Sequence, residues 1–121
     1  MIIAGLGFRS AAPVASLQAA LALALAQTTA KPQALATAHA KARAPQMAAL
    51  ARALDLPVLA VDVAGMITPT QSPQSQRAHA TGSVAEAAAL IAAGPGARLI
   101  GGRVTSADGM ATAALAEGPD P

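Results

Sequence analysis

Hydrophobic positions in the first part of the chain follow a strand pattern and then a helix pattern. Residues 2–6 form a short apolar run that is typical of a buried strand. Residues 13–27 then repeat apolar side chains at three- and four-residue spacing, which predicts a helix with one buried face: Val14, Leu17, Leu21 and Leu25. Gly5 and Gly7 predict a tight turn between the strand and the helix.

A second strand and helix follow with similar spacing. Residues 35–38 predict a weak strand, and Pro45 suits the first position of a helix because its φ angle is already fixed there. One face of this helix carries the apolar residues Met47, Leu50, Ala51 and Leu54. Residues 58–61 predict a third strand. Because strands alternate with helices over short connections, the pattern favours a mainly parallel sheet with helices on both faces.

The regular pattern stops over residues 65–82, which contain two prolines among Thr, Ser and Gln. Order resumes at Ser83, which forms a capping box with Glu86 and begins a helix that ends at Gly94. Residues 98–104 and 110–116 predict two strands, and the turn chemistry of residues 106–109 joins them as an antiparallel hairpin. The sequence therefore predicts a single α/β domain over residues 1–121, in the order β-α-β-α-β-loop-α-β-β.

Composition excludes several classes of function. Alanine accounts for 36 of the 121 residues, and Phe8 is the only aromatic residue, so base stacking on aromatic side chains is excluded and a nucleic-acid module is not expected. The chain has no cysteine and its two histidines have no metal-site spacing, so we expect no metal and no cofactor.

No apolar run reaches the roughly 20 residues of a membrane span. Arg9 follows the first apolar residues instead of preceding them, the reverse of a secretory signal, and we expect a cytoplasmic protein.

Charge is distributed unevenly between the two halves of the chain. Residues 1–54 contain five basic residues and no acidic residue, whereas residues 55–121 contain six acidic residues and three arginines. The basic half therefore favours an anionic ligand.

The glycine turn has features of an anion site but not of a complete dinucleotide site. Ser10 stands where the dinucleotide fingerprint has its third glycine, and no acidic residue precedes Asp55 to bind a ribose. An NADP-binding reductase, with Lys41 or Arg43 on the 2′-phosphate, stays open as an alternative. Arg9 adds a guanidinium group suited to carboxylates beside the free N–H groups of the turn.

His39 and Lys41 follow the second predicted strand, and their spacing of two places them on the same side near its carboxyl end. Open α/β sheets bind ligands at that edge.

Four segments taken together resemble a family of cobalamin-biosynthesis proteins. They are GLGFRS at the start, ATAHAK before the second helix, TGSVAEAAALIAAG after the loop, and RVTSADGMATAALA at the end. In this order and spacing they resemble CobE and the C-terminal domain of CbiG over nearly the whole chain. The resemblance implies an α/β fold and a ligand of the precorrin or hydrogenobyrinic acid type, which is a flat tetrapyrrole carrying many carboxylates.

The resemblance supplies two functional hypotheses. A CobE-like protein would bind or carry the intermediate without catalysis, whereas a CbiG-like hydrolase would open the δ-lactone of a cobalt-precorrin with loss of a two-carbon fragment. Ala42, Arg43 and Ala44 replace the acidic residues that usually follow the lysine matching Lys41. His39 is therefore the candidate catalytic base, with Glu86 and Asp108 as further candidates for the acid or base. The expected ligand-binding residues are Gly5, Gly7, Arg9, Lys41, Ser72, Thr81, Gly82, Ser83 and Arg103. Other enzymes of the pathway are further candidate partners, and the alanine-rich helices would suit a homodimer.

Overall fold

The structure, a computed structural model, describes residues 1–62 and 84–119. Five strands and three α-helices lie in these ranges, with a short 3₁₀ turn at His39–Lys41. In chain order the elements are β1 (Ile2–Phe8), α1 (Val14–Leu25), β2 (Ala34–Ala38), α2 (Pro45–Leu54), β3 (Val58–Val61), α3 (Val84–Ala93), β4 (Arg98–Thr105) and β5 (Ala111–Glu117). None of the helices within the described ranges is long and apolar enough to cross a membrane.

The five strands form one sheet in the order β3-β2-β1-β5-β4. β1 pairs in parallel with β2, and β2 pairs in parallel with β3, while β5 pairs antiparallel with both β1 and β4. β1, β2, β3 and β4 therefore all point the same way, and only β5 runs in the opposite direction. The predicted α/β sheet with a C-terminal antiparallel hairpin is confirmed.

Side chains alternate between the two faces of the sheet and build a separate core on each. Leu6 and Leu35 pack with Leu17 and Leu21 of α1 and with Met47 of α2 on one face. On the other face, the core consists mainly of alanines from β2 and α3, with Ile3. Helices therefore cover both faces of the sheet, as predicted, because each face of β1 and β2 is apolar.

Helix α3 lies directly on the backbone of β1. A Cβ atom added at Gly5 would come within 2.0 Å of the Ala85 carbonyl oxygen and 2.7 Å of the Ala89 amide nitrogen. At Gly7 the same addition would meet the Thr112 hydroxyl at 2.9 Å and Val84 Cβ at 3.3 Å. At Gly5 glycine is therefore required because the helix backbone occupies the space of a side chain, whereas at Gly7 the side chains of Thr112 and Val84 occupy it.

The ends of the helices follow local sequence signals. Pro45 occupies the first turn of α2, and Asp55 ends that helix in the left-handed conformation with a φ of 55°. Gly94 follows α3 with a φ of 96°, a conformation that strongly favours glycine, so the predicted end of this helix is confirmed. Ser83, the first residue of the predicted capping box, and the loop over residues 65–82 lie outside the described residues.

Three details of the sequence prediction are wrong. β1 continues to Phe8, so Gly5 and Gly7 lie inside a strand and the turn to α1 begins at Arg9. A paired strand can include glycines where a helix backbone packs against them, and this long-range contact has no local signal. His39 and Lys41 lie in the 3₁₀ turn, not in an extended segment. Leu54, expected on the buried face of α2, is 41% exposed because it is the last residue of the helix and lies beyond the core around Leu50.

The close contact between α3 and β1 predicts the effect of enlarging Gly5. We expect Gly5→Ala to lower the free energy of unfolding by about 3 kcal/mol, at the upper end of the range for overpacking, because the new methyl group meets backbone atoms that cannot rotate away. Urea denaturation measures the loss. Gly102→Ala is the matched control, because nothing lies within 4 Å of its added Cβ, and its effect should stay within about 0.5 kcal/mol. Equal stabilities of the two variants would contradict this account of the packing.

Candidate functional site

Several polar loops meet at one edge of the sheet. We call this the carboxyl edge: it comprises residues 9–13 after β1, residues 39–44 after β2 and the turn of residues 106–110 between β4 and β5. α1 and α3 pack on opposite faces of the sheet, and the chain crosses from β3 on one side of β1 to β4 on the other. Open α/β sheets bind ligands at such an edge, next to the strand where the order reverses.

Lys41 links the loop after β2 to the loop after β1. Its ammonium nitrogen Nζ donates a hydrogen bond to Ser10 Oγ at 2.7 Å and lies 5.3 Å from the centre of the Phe8 ring. Partial burial lowers the pKa of Lys41 from its ordinary value of 10.5. No acidic side chain within residues 1–62 and 84–119 pairs with Lys41. Among these residues, its ammonium group contacts the Ser10 hydroxyl and the face of the Phe8 ring.

Arg9 directly follows β1 and precedes Ser10, the residue that Lys41 contacts. The Arg9 amide donates to the Met110 carbonyl at 3.0 Å, and the Arg9 carbonyl accepts from the Ala12 amide at 2.9 Å. The backbone of Arg9 is therefore fixed, while its side chain is exposed. Ser10 follows Arg9 directly and accepts a hydrogen bond from Lys41. Lys41 therefore contacts the loop that begins at Arg9.

Gln46 of α2 also binds this loop. It is not among the residues predicted from the sequence. Its side-chain nitrogen Nε2 donates to the carbonyls of Ser10 and Ala12, both at 3.0 Å. A glutamine in the first turn of a helix has no local signal for such a role, because the contact spans 34 to 36 residues of sequence.

Asp108 connects the β4–β5 turn to the start of α1. Its carboxylate accepts hydrogen bonds from Ser106 Oγ at 2.6 Å, from Ser16 Oγ at 2.5 Å and from the Met110 amide at 3.0 Å. These donors favour the ionised form and lower the pKa of Asp108 from its ordinary value of 3.8, with the Ser106 hydroxyl contributing most. Its negative charge is thus matched by local donors, and Asp108 is poorly suited to accept a proton near neutral pH.

The remaining cationic candidates are divided between the carboxyl edge and elsewhere. His39 and Arg43 are exposed at the carboxyl edge, and no hydrogen bond from another described residue orients the His39 ring. Arg103 lies on β4, which is separated from β1 by β5. The next residue, Val104, is level with Leu6 of β1, because both pair with Ala113 of β5. Arg103 lies two residues before Thr105, the last residue of β4, and its place in a ligand site stays a prediction.

The glycine and loop candidates have other locations. Gly5 and Gly7 are buried inside the paired part of β1, under α3, so they form no exposed cradle of N–H groups. The expected ligand contacts Ser72, Thr81, Gly82 and Ser83 lie outside the described residues. Glu86, part of the predicted capping box, is fully buried in the first turn of α3.

Two further observations concern metal-ligand groups and a surface depression in the described structure. Within the described ranges, no group of three or more His, Asp or Glu side chains could hold a metal ion. A shallow depression lies at the opposite edge of the sheet, between the end of α3 and the start of β4, and no charged residue is among those that line it: Leu90, Ile91, Gly94, Pro95, Gly96 and Ala97. The charged groups of the carboxyl edge are therefore not part of that depression.

Comparison with known proteins identifies the family. The chain matches the family model described as "Cobalamin synthesis G C-terminus" over residues 2–116. The chain belongs to this family. The resemblance stated from the four sequence segments is therefore confirmed. No curated protein matches the chain.

Two solved structures of cobalamin-biosynthesis proteins are similar to this member of the family. One is the crystal structure of CobE, described as a protein from the cobalamin (vitamin B12) biosynthetic pathway, with 31% sequence identity and a TM-score of 0.81; the match covers 96% of this chain and 89% of that one. The other is the cobalamin biosynthesis protein chiG from Agrobacterium tumefaciens str. C58, with 34% identity and a TM-score of 0.73; the match covers 99% of this chain and 100% of that one.

The hydrogen bonds to Asp108 predict an acid-sensitive contribution to stability. A carboxyl whose pKa is lower in the folded state than in the unfolded state stabilises the fold fully above the unfolded value, and this contribution is lost as the pH falls through the folded value. Asp108→Asn should therefore be less stable than the wild type at pH 5–7, and the difference should shrink below about pH 3.8. Thermal unfolding midpoints at successive pH values measure it.

Asp55→Asn is the control for this experiment. The Asp55 side chain is exposed and makes no hydrogen bond among the described residues, so this variant should change stability little at neutral pH. A difference between wild type and Asp108→Asn that stays constant down to pH 2 would show that ionisation of Asp108 does not stabilise the fold.

Proposed function

We propose that this protein binds a polycarboxylate tetrapyrrole intermediate of cobalamin biosynthesis, of the precorrin or hydrogenobyrinic acid type, at the carboxyl edge, and that it carries the intermediate without catalysis. Membership of the family supports a corrinoid-related ligand. The observation that carries the proposal is the contact of Lys41 with Ser10, the residue after the exposed Arg9, with no acidic partner for either cation among residues 1–62 and 84–119.

Carboxylate recognition accounts for two cationic groups that have no acidic partner in the described part of the chain. The guanidinium of Arg9 offers N–H groups in a planar fork that matches a carboxylate, and Lys41 and Ser10 add an ammonium group and a hydroxyl beside it. A charge-assisted hydrogen bond of this kind contributes about 1.5–3 kcal/mol when water is excluded. Because a corrin ring carries several acetate and propionate arms, one arm can bind here while others reach His39 or Arg43 along the same edge.

The alternative is a hydrolase that opens the δ-lactone of a precorrin with His39 as the base. A general base normally needs a partner that orients its ring toward the substrate. His39 is exposed and receives no such hydrogen bond from the described residues, while the Asp108 carboxylate is occupied by three donors. These observations favour binding over hydrolysis.

The binding proposal predicts a specific loss on removing the Arg9 guanidinium. Hydrogenobyrinic acid serves as the probe, and absorbance titration measures the dissociation constant. Arg9→Ala should weaken binding by about tenfold to a hundredfold, the equivalent of one shielded charge-assisted contact. Arg52→Ala is the matched control, because Arg52 is exposed in the last turn of α2, away from the carboxyl edge, and its affinity should equal that of the wild type. If Arg9→Ala bound the probe as tightly as the wild type, this site would be the wrong one.

A second experiment separates the carrier from the hydrolase. Incubation with a lactone-bearing precorrin should give a stoichiometric spectral change with no released product. Catalytic turnover that is lost in His39→Ala would contradict the carrier hypothesis and support the hydrolase hypothesis. Titration with NADP tests the reductase alternative, and we expect no saturable binding because the glycines of β1 are covered by α3.

A further inference from the structure

We infer that Gln46 is the positioning residue of the anion site, and that it acts by turning the carbonyl groups of the β1–α1 loop away from a bound carboxylate. This inference rests on the proposed function. Its basis is the pair of hydrogen bonds from Gln46 Nε2 to the carbonyls of Ser10 and Ala12, both at 3.0 Å.

The electrostatic argument starts from the direction of the loop carbonyls. A carbonyl oxygen carries partial negative charge and repels a carboxylate, so an anion site on a loop requires the carbonyls to point elsewhere. The carbonyls of Arg9 and Pro13 accept from the amides of Ala12 and Ser16. Gln46 binds the carbonyls of Ser10 and Ala12, so four of the five carbonyls in residues 9–13 have a donor.

Glutamine is well suited to this task at the start of α2. Its amide nitrogen has two N–H groups, one for each carbonyl, and it carries no net charge that would attract or repel the ligand. A lysine could donate in the same way but would add a third cation to the site, and a glutamate could not donate when ionised. Pro45 fixes the first position of the helix, so the side chain of the next residue starts from a rigid backbone.

Gln46 and Lys41 bind different groups of Ser10. Gln46 holds the backbone carbonyl of Ser10, whereas Lys41 holds its hydroxyl. When a carboxylate binds, Lys41 can exchange the hydroxyl for the ligand while Gln46 keeps the loop in place. Arg9 and Ser10 then remain on the side of the loop that faces the ligand.

A double-mutant cycle with Arg9 tests the inference, again with hydrogenobyrinic acid as the probe. Gln46→Leu should weaken binding about tenfold, the equivalent of two lost hydrogen bonds of ordinary strength. In the Arg9→Ala background the same change should cost less than about threefold, because a carboxylate without its Arg9 contact is held less closely against the loop carbonyls that Gln46 turns away. A residue that only stabilised the fold would reduce binding by the same factor in both backgrounds.

Two further variants complete the test. Gln46→Glu keeps the size of the side chain but places a carboxylate against two carbonyls, so it should weaken binding at least as much as Gln46→Leu, and it serves if Gln46→Leu fails to fold. Gln18→Leu is the control, because Gln18 is exposed on α1 and makes no hydrogen bond among the described residues, and its affinity should equal that of the wild type.

The outcomes distinguish this inference from the proposed function. Unchanged affinity in Arg9→Ala would overturn the proposed site, and the positioning role with it. A loss in Arg9→Ala with wild-type affinity in both Gln46 variants would overturn only the role of Gln46. Equal factors in the two backgrounds would also overturn it, because Gln46 would then act on stability alone.

Discussion

The contact between the backbone of α3 and the backbone of β1 constrains the rest of the fold. Gly5 leaves no room for even a methyl group beneath Ala85, so the helix lies as close to the central strand as packing permits. Such a short separation admits only small side chains around it, which explains why the core on this face consists mainly of alanines. The alanines of this core are therefore a structural requirement of its close packing.

The other face of the sheet carries the larger core side chains, and the carboxyl edge between the two faces is organised by polar contacts between distant segments. Lys41 and Gln46 reach the loop after β1 from the next strand–helix unit, and Asp108 reaches Ser16 from the C-terminal hairpin. Each contact joins elements that are more than 30 residues apart in sequence. These contacts use backbone carbonyls and hydroxyls, and none of them involves the exposed side chain of Arg9.

The order of the elements could be predicted from the sequence because each depends on local spacing. The four leucine and valine positions of α1, Pro45 at the start of α2 and Gly94 after α3 are local signals, and all agree with the structure. The role of Gly5 could not be predicted, because a glycine in a turn and a glycine under a helix look alike in sequence. Charge and position indicate Arg9 and Lys41 as candidates in the sequence. Nothing local indicates Gln46, because its two bonds depend on how α2 packs beside the first loop.

The position of Phe8 beneath Lys41 has a spectroscopic consequence. The chain has no tryptophan or tyrosine, so its near-ultraviolet absorption is weak. After exchange of its N–H groups in heavy water, the ring protons of this one phenylalanine share their region of the proton spectrum with the two histidines. The Lys41 ammonium lies 5.3 Å from the ring centre, and its departure changes the shielding of those protons. An unlabelled sample thus contains a built-in magnetic resonance reporter of whether the lysine rests on the ring or has turned away.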